Sequence, residues 1–317
     1  MAGIIGARQT TLANDVEMTG TGVHSGAPAS ILISPSEADS GIRFVVTNGN
    51  GHDTMIPADF RAVGNSVLCT VLSDGNGCAV ATVEHLMAAL HGLGVDNALV
   101  EIDSGEVPIM DGSSMPFVEA VDEAGIRELD RPRRFIKVLK TVSVTDGQSW
   151  GELSPYDDGF HLDVEIDFDT PLIGRQRFQL ELTPNHFRRE IARARTFGFM
   201  RDVEGLWAAG LALGASLDNT VAIGDDKIVN QEGTRFPDEF VRHKVLDAIG
   251  DLALAGAPLL GAFRSRRGGH KLNNLMLEAL FQDDEAWTVV DAPWAAKVEH
   301  AELNLGLAAA NYAADRT

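Results

Sequence analysis

Residues 239–255 read EFVRHKVLDAIGDLALA, and the spacing is that of a helix. At 3.6 residues per turn, Val241, Val245, Ala248 and Leu252 fall on one side and form a stripe that has to be buried. His243, Asp247 and Asp251 are spaced i, i+4 and i+8, so they stack along another face, with Lys244 at its edge. An imidazole and a carboxylate one turn apart can bind the same cation, as the i, i+4 histidine pairs of zinc proteases do. Taken alone, the helix is explained more simply by a solvated polar face carrying an ordinary His–Asp hydrogen bond.

Two further clusters bear on that choice. Residues 82–90 read TVEHLMAAL. Thr82 is a suitable N-cap, which puts Glu84 and His85 in the first turn of a helix. There the dipole favours a carboxylate and disfavours imidazolium, so His85 tends toward the neutral, metal-binding form. Neighbours on a helix point about 100° apart, so one of the pair can ligate while the other approaches a metal-bound water. The plainer reading is a glutamate that stabilises a helix start.

Residues 264–271 read RSRRGGHK, four cations in a chain whose 26 Lys and Arg face 46 Asp and Glu, a net charge of −20. Gly268 and Gly269 permit positive φ just before His270. This stretch reads equally as an anion-binding loop presenting a histidine or as a basic surface turn. Together, His85, His243 and Asp247 can fill three positions of a tetrahedral zinc site, leaving the fourth for water. Glu84 would then act as general base and His270 as general acid. Cys69 and Cys78 are discounted as ligands, Cys69 because it sits in a strand-like run, 67–71, where a small buried hydrophobe is the default. His52, His161, His186 and His300 show no partner pattern.

The rest of the chain sets the frame. Strand patterns appear at 30–34, Ile42–Val46, Ala98–Ile102 and 160–168, the last (FHLDVEIDF) alternating apolar and polar residues. Residues 220–223 and 227–229 flank a Gly-Asp-Asp turn and suggest a hairpin. Helical patterns fall at 83–91, 117–124 and 203–210 besides 239–255. Without a regular βαβ alternation, the class is α+β. The charged, Pro-containing stretch 128–134 (ELDRPRR) is the candidate linker between two domains.

The acidic balance speaks against non-specific binding to nucleic acid or anionic membrane, which require a basic surface. Two cysteines cannot build a disulfide framework. The opening residues lack a basic region followed by a sustained apolar stretch, and the longest apolar runs, 206–217 and 252–263, are interrupted and shorter than the ~20 residues of a membrane span. No transmembrane segment and a cytoplasmic location are therefore expected, with a monomer as the default.

The motifs, taken in order, resemble those of the zinc-dependent UDP-3-O-acyl-N-acetylglucosamine deacetylases of lipid A biosynthesis. In the first half they are Gly20-Thr-Gly-Val-His-Ser-Gly26, Ser66-Val-Leu-Cys-Thr70, Thr82-Val-Glu-His85, Gly94-Val-Asp-Asn97 and Val107-Pro-Ile-Met-Asp-Gly-Ser113. In the second they are Ala194-Arg-Thr-Phe-Gly-Phe-Met-Arg-Asp202, the run 238–251 and Gly269-His-Lys-Leu-Asn-Asn274. The resemblance implies two related domains, each a sheet packed on helices, facing each other across the active site. Residues 1–130 would carry Glu84 and His85. Residues 131–317 would carry His243, Asp247, His270 and a β-α-β insertion forming an apolar passage for an acyl chain.

It further implies metal ligation by His85, His243 and Asp247, with Glu84 as base and His270 as acid. Asp251 is the implied partner of the acid, Lys244 lies near the substrate's charged portion, and Thr196 donates to the oxyanion. Phe197, Leu206, Leu213 and, less directly, His24 are implied substrate contacts. The implied cofactor is Zn²⁺, with Fe²⁺ compatible with the same donors. The implied substrate is an acylated UDP-sugar that loses acetate. Two other readings stay open: a catalytically silent sugar-nucleotide binder on the same scaffold, and an amidase for another acylated sugar.

Overall fold

The computed structural model describes residues 7–47 and 53–292, so His52 and His300 lie outside the described residues. Its helices are α1 (Glu84–Leu93), α2 (Met115–Ala124), a single turn α3 (Pro184–His186), α4 (Val203–Ala208), α5 (Glu239–Leu252) and α6 (His270–Gln282). A five-stranded sheet has the order Val16–Thr21, Pro28–Pro35, Ala98–Ile102, Ile42–Val46, Thr54–Pro57. Its Pro28–Pro35 and Ala98–Ile102 strands run antiparallel, while Ala98–Ile102 and Ile42–Val46 run parallel. A seven-stranded sheet in the second half is centred on Leu259–Arg266, which pairs with Ser149–Ser154, Phe160–Asp167 and Arg134–Val138. The α+β class read from the sequence is the observed one.

Helices pack on each sheet and meet in the middle. α2 lies against Val16–Thr21, α6 against Val142–Asp146 and Ser149–Ser154, and α5 against Phe160–Asp167 and Arg175–Glu181. α1 touches α2 on one side and α5 on the other, so nine of its ten residues are buried. That double burial explains why LMAAL at 86–90 is apolar all round rather than on one stripe. The α1–α5 crossing is unusually close. A Cβ on Gly250 would stand 2.0 Å from the carbonyl oxygen of Glu84, so at that position of α5 there is room for glycine alone.

Several local expectations are corrected. Residues 128–134 are not a linker loop. Ile126–Pro132 is a strand antiparallel to Arg8–Leu12, and Arg134 opens the next strand, because ladder hydrogen bonds outweigh a charged, Pro-containing composition at a sheet edge. Thr82 does not cap α1. The N-cap is Val83, and Thr82, at φ 58°, donates its hydroxyl to Glu106 instead. Residues 67–69 form a bend rather than a strand, although Cys69 is buried as expected. The hairpin at 224–226 is a turn, with Gly224 N–H bonded to Lys227 O at 2.9 Å and one bridge between Ile223 and Ile228. Phe197–Phe199 and Val221–Ile223 pair in parallel around α4, a small β-α-β unit.

Candidate active site

The polar face of α5 is not solvated. His243, Asp247 and Asp251 are each about 2% exposed, because α1 and α6 close over them. His85, one residue into α1, projects to the same point. The ligand atoms of His85, His243 and Asp247 lie within 4.8 Å of one another. Asp247 Oδ1 sits 3.3 Å from His243 Nε2 and 3.7 Å from His85 Nε2, and this buried oxygen has no hydrogen-bond partner. His243 Nδ1 is 3.0 Å from the Ala194 carbonyl, which can only accept, so the proton sits on Nδ1 and the Nε2 lone pair faces the triad. Asp247 Oδ2 accepts from Lys244 Nζ at 2.8 Å.

The charge states suit a cation. Burial, with His243 beside it, lowers His85 to about 3, and burial lowers His243 as well, so both rings are neutral. Asp247 is held below the usual carboxylate range despite its burial, with the Lys244 ammonium 2.8 Å from its Oδ2. Two neutral imidazoles and an ionised carboxylate converging on one orphaned oxygen fit a divalent metal ion.

Beside the triad lie a buried carboxyl and a buried imidazole, Glu84 and His270. Glu84 Oε1 is 3.8 Å from His270 Nε2. His270 Nδ1 is 2.9 Å from Asp251 Oδ2, which also accepts from Asn273 Nδ2 at 2.8 Å. Burial, aided by Asp251 and Asp247, pushes Glu84 up to about 7 despite the opposing His270. Burial alone would lower His270, and its place at the start of α6 is unfavourable for a cation, but Asp251 and Glu84 outweigh both and raise it to about 9. Near neutral pH the Glu84 side chain is partly ionised and in that form able to take a proton, while the His270 imidazolium has one to give.

A cavity of about 340 Å³ opens onto this cluster, walled by Glu84, His85, Thr196, Phe197, His243, Lys244, Asp247 and His270 together with Ser66–Leu68, Arg267 and Lys271. Eight residues singled out in the sequence therefore share one wall, and Asp251 stands behind His270.

The chain matches the family described as UDP-3-O-acyl N-acetylglycosamine deacetylase over residues 9–282. Proteins named UDP-3-O-acyl-N-acetylglucosamine deacetylase from Brucella ovis, Brucella canis and Brucella melitensis are 53% identical to it over 287 residues, covering 90% of this chain and 99% of each relative. The chain belongs to this deacetylase family.

Against that family expectation, three residues stand off the cavity wall. Leu213 is half exposed and its N–H donates to the His24 carbonyl at 3.1 Å, so the loop after α4 docks on the 20–26 segment. Leu206 is half-buried on α4. The His24 ring has a buried, unpartnered Nδ1, and burial, with His270 nearby, lowers its pKa despite Glu106. The basic stretch is also corrected. Arg264 and Arg266 belong to a strand and pair with Asp163 and Glu165, Arg267 pairs with Asp167, and Lys271 pairs with Asp146. The positive φ falls on Arg267, at 52°, rather than on either glycine.

Sequence reasoning gave no role to four supporting residues. Thr70 bonds both Glu84 and Asp251, and Asn273 bonds Asp251. Buried Glu106 accepts from Ser25 and from the His24 amide, fixing the 20–26 loop. Buried Arg195, paired with Glu239 at 3.0 Å, ties the start of α5 to the backbone that leads into Thr196. The signal for Thr70 and Asn273 was their place inside quoted motifs. Arg195 also lies inside a quoted motif, whereas Glu106 becomes interpretable only through long-range contacts.

Proposed function

We propose that this deacetylase-family chain hydrolyses the 2-acetamido group of UDP-3-O-(3-hydroxyacyl)-N-acetylglucosamine, releasing acetate and a free amine, in lipid A biosynthesis. The observation that carries the reading is the buried Glu84–His270 pair, raised to about 7 and about 9, set beside the orphaned Asp247 oxygen and two neutral histidines. A silent binder has no need of such a pair. His85, His243 and Asp247 would hold the metal, Zn²⁺ or Fe²⁺, which when bound polarises the amide carbonyl and lowers the pKa of a bound water to about 7.

The chain's own residues perform the proton transfers. Glu84 takes a proton from the attacking water, and His270, held by Asp251, gives one to the departing amine nitrogen. Thr196 donates to the developing oxyanion from the cavity wall. Lys244 holds Asp247 ionised and faces the substrate's charged portion. Phe197, with its ring 6.2 Å from that of His243, covers the reacting group. Leu206, Leu213 and His24 flank the path of the acyl chain. Residues 1–130 and 131–317 act as two domains, each supplying part of the site. Among the described residues no helix is long and apolar enough to cross a membrane. We place the reaction in the cytoplasm, carried out by a monomer.

The test is acetate release from UDP-3-O-acyl-N-acetylglucosamine before chelation, after chelation and after metal is restored. Loss with chelator and recovery with metal is the expected result. Metal-loaded, folded protein that binds the nucleotide sugar yet yields no acetate would favour the silent binder, and acetate or acid release only from other acylated sugars would favour a different amidase.

A further inference from the structure

We infer that Thr70 is a positioning residue for the acid–base pair, tying the base carboxylate to the carboxylate that anchors the acid. The inference rests on the assignment of Glu84 and His270 above. Thr70 is buried just ahead of the strand Val71–Ser73, and its carbonyl accepts from Val83 N–H at the start of α1. Its own N–H donates to Glu84 Oε2 at 3.1 Å, and its hydroxyl donates to Asp251 Oδ1 at 2.6 Å.

These bonds close a ring. Glu84 is held through Oε2, which leaves Oε1 directed at His270, 3.8 Å away. Asp251 is held through Oδ1 by Thr70 and through Oδ2 by Asn273, so the plane of its carboxylate is fixed before it meets His270 Nδ1 at 2.9 Å. Four chain segments contribute: the bend before Val71, α1, α5 and α6. Thr70 hydrogen-bonds both carboxylates, in each case through the oxygen that does not face His270. Its amide bond survives any side-chain change except proline, so the side chain's particular contribution is the hydroxyl on Asp251. Without that donor, a buried carboxylate oxygen loses a charge-assisted bond and the carboxylate can rotate about its Cβ–Cγ bond, carrying the imidazole with it.

The experiment compares the full chain with Thr70→Val, which keeps shape and loses the hydroxyl, and Thr70→Ser, which keeps the hydroxyl. Three quantities are read: kcat and KM for acetate release, metal content, and the ¹⁵N imidazole signals of His270, identified by their absence in His270→Gln. The valine variant is expected to lose about tenfold to a hundredfold in kcat, the size of a hydrogen bond to a charged group, with KM and metal content unchanged and the His270 signals displaced. The serine variant recovers most of that rate. Thr70→Ala, which also lacks the hydroxyl, takes the place of valine if the added methyl prevents folding.

Wild-type kcat with undisplaced His270 signals in the valine variant overturns the inference, as does a loss that serine fails to recover or one that follows lost metal. Wild-type protein that releases no acetate, while the valine variant still displaces the His270 signals, sinks the deacetylase reading and leaves the positioning role standing.

Discussion

Gly250→Ala is the sharpest structural test of how the site is assembled. In a helix interior the change by itself favours the fold by about 1 kcal/mol, because alanine restricts the unfolded chain and is the better helix former. At Gly250 the sign should reverse. The added Cβ would lie 2.0 Å from the carbonyl oxygen and 2.8 Å from the carbonyl carbon of Glu84, both backbone atoms that no rotamer change can move aside. An ordinary carbon–oxygen contact needs about 3.3 Å, so α1 and α5 must part by about 1 Å. Overpacking of this kind costs about 1–3 kcal/mol, which cancels or exceeds the propensity gain.

The kinetic consequence is larger than the thermodynamic one, because the displaced backbone is that of Glu84 itself and Gly250 adjoins Asp251. A shift of about 1 Å in such a constellation can remove about 10² from the rate. Urea denaturation and acetate-release kinetics measure the two effects. Gly205→Ala in α4 is the control, since nothing beyond its own neighbours and helix backbone approaches its Cβ within 4 Å, and it should gain stability. If Gly250→Ala is stabilised like the control and keeps wild-type kcat, the close crossing is not what holds Glu84 in place.

Glu84→Gln and His270→Ala should each lose roughly 10²–10⁴ in rate while retaining metal, and near-full activity of the glutamine variant would refute the base assignment. His243→Ala should lose metal, measured by elemental analysis, together with activity. The rate should rise with pH as Glu84 deprotonates, at or below about 7 because a bound cation draws that limb down, and fall as His270 deprotonates near about 9. A single-limbed profile, with chemistry limiting, would contradict the pair. The raised His270 also stabilises the fold: its contribution is whole below 6.5 and is lost as pH climbs through about 9, which should appear as a falling midpoint in thermal melts over that window.

Periodicity made α5 legible because its apolar stripe and its polar stripe are both regular, and the observed helix begins at the expected residue, Glu239. What the helix alone could not decide was whether His243 and Asp247 faced water, since that depends on α1 and α6 arriving from distant parts of the chain. α6 itself went unread. The interest of RSRRGGHK drew attention to charge, although Leu272, Met276 and Leu280 repeat every four residues and are all buried. The basic stretch misled because net charge counts cations without their partners, and the carboxylates of Phe160–Asp167 become its partners only through the parallel pairing with Leu259–Arg266. Thr82 misled for a related reason. A good capping residue was claimed instead by Glu106, some two dozen positions later in sequence but within 3.0 Å in space.

The glycine at the α1–α5 crossing also governs how this enzyme can be recombined. A chimaera that joins the first half of one relative to the second half of another takes the counterparts of Glu84 and His85 from one parent and those of His243, Asp247 and His270 from the other. Such a hybrid can seat these two helices as closely as here only where the donor of the second half brings a residue without a side chain opposite the Glu84 carbonyl. The close crossing is thus a requirement at the seam that each parent has to meet on its own account.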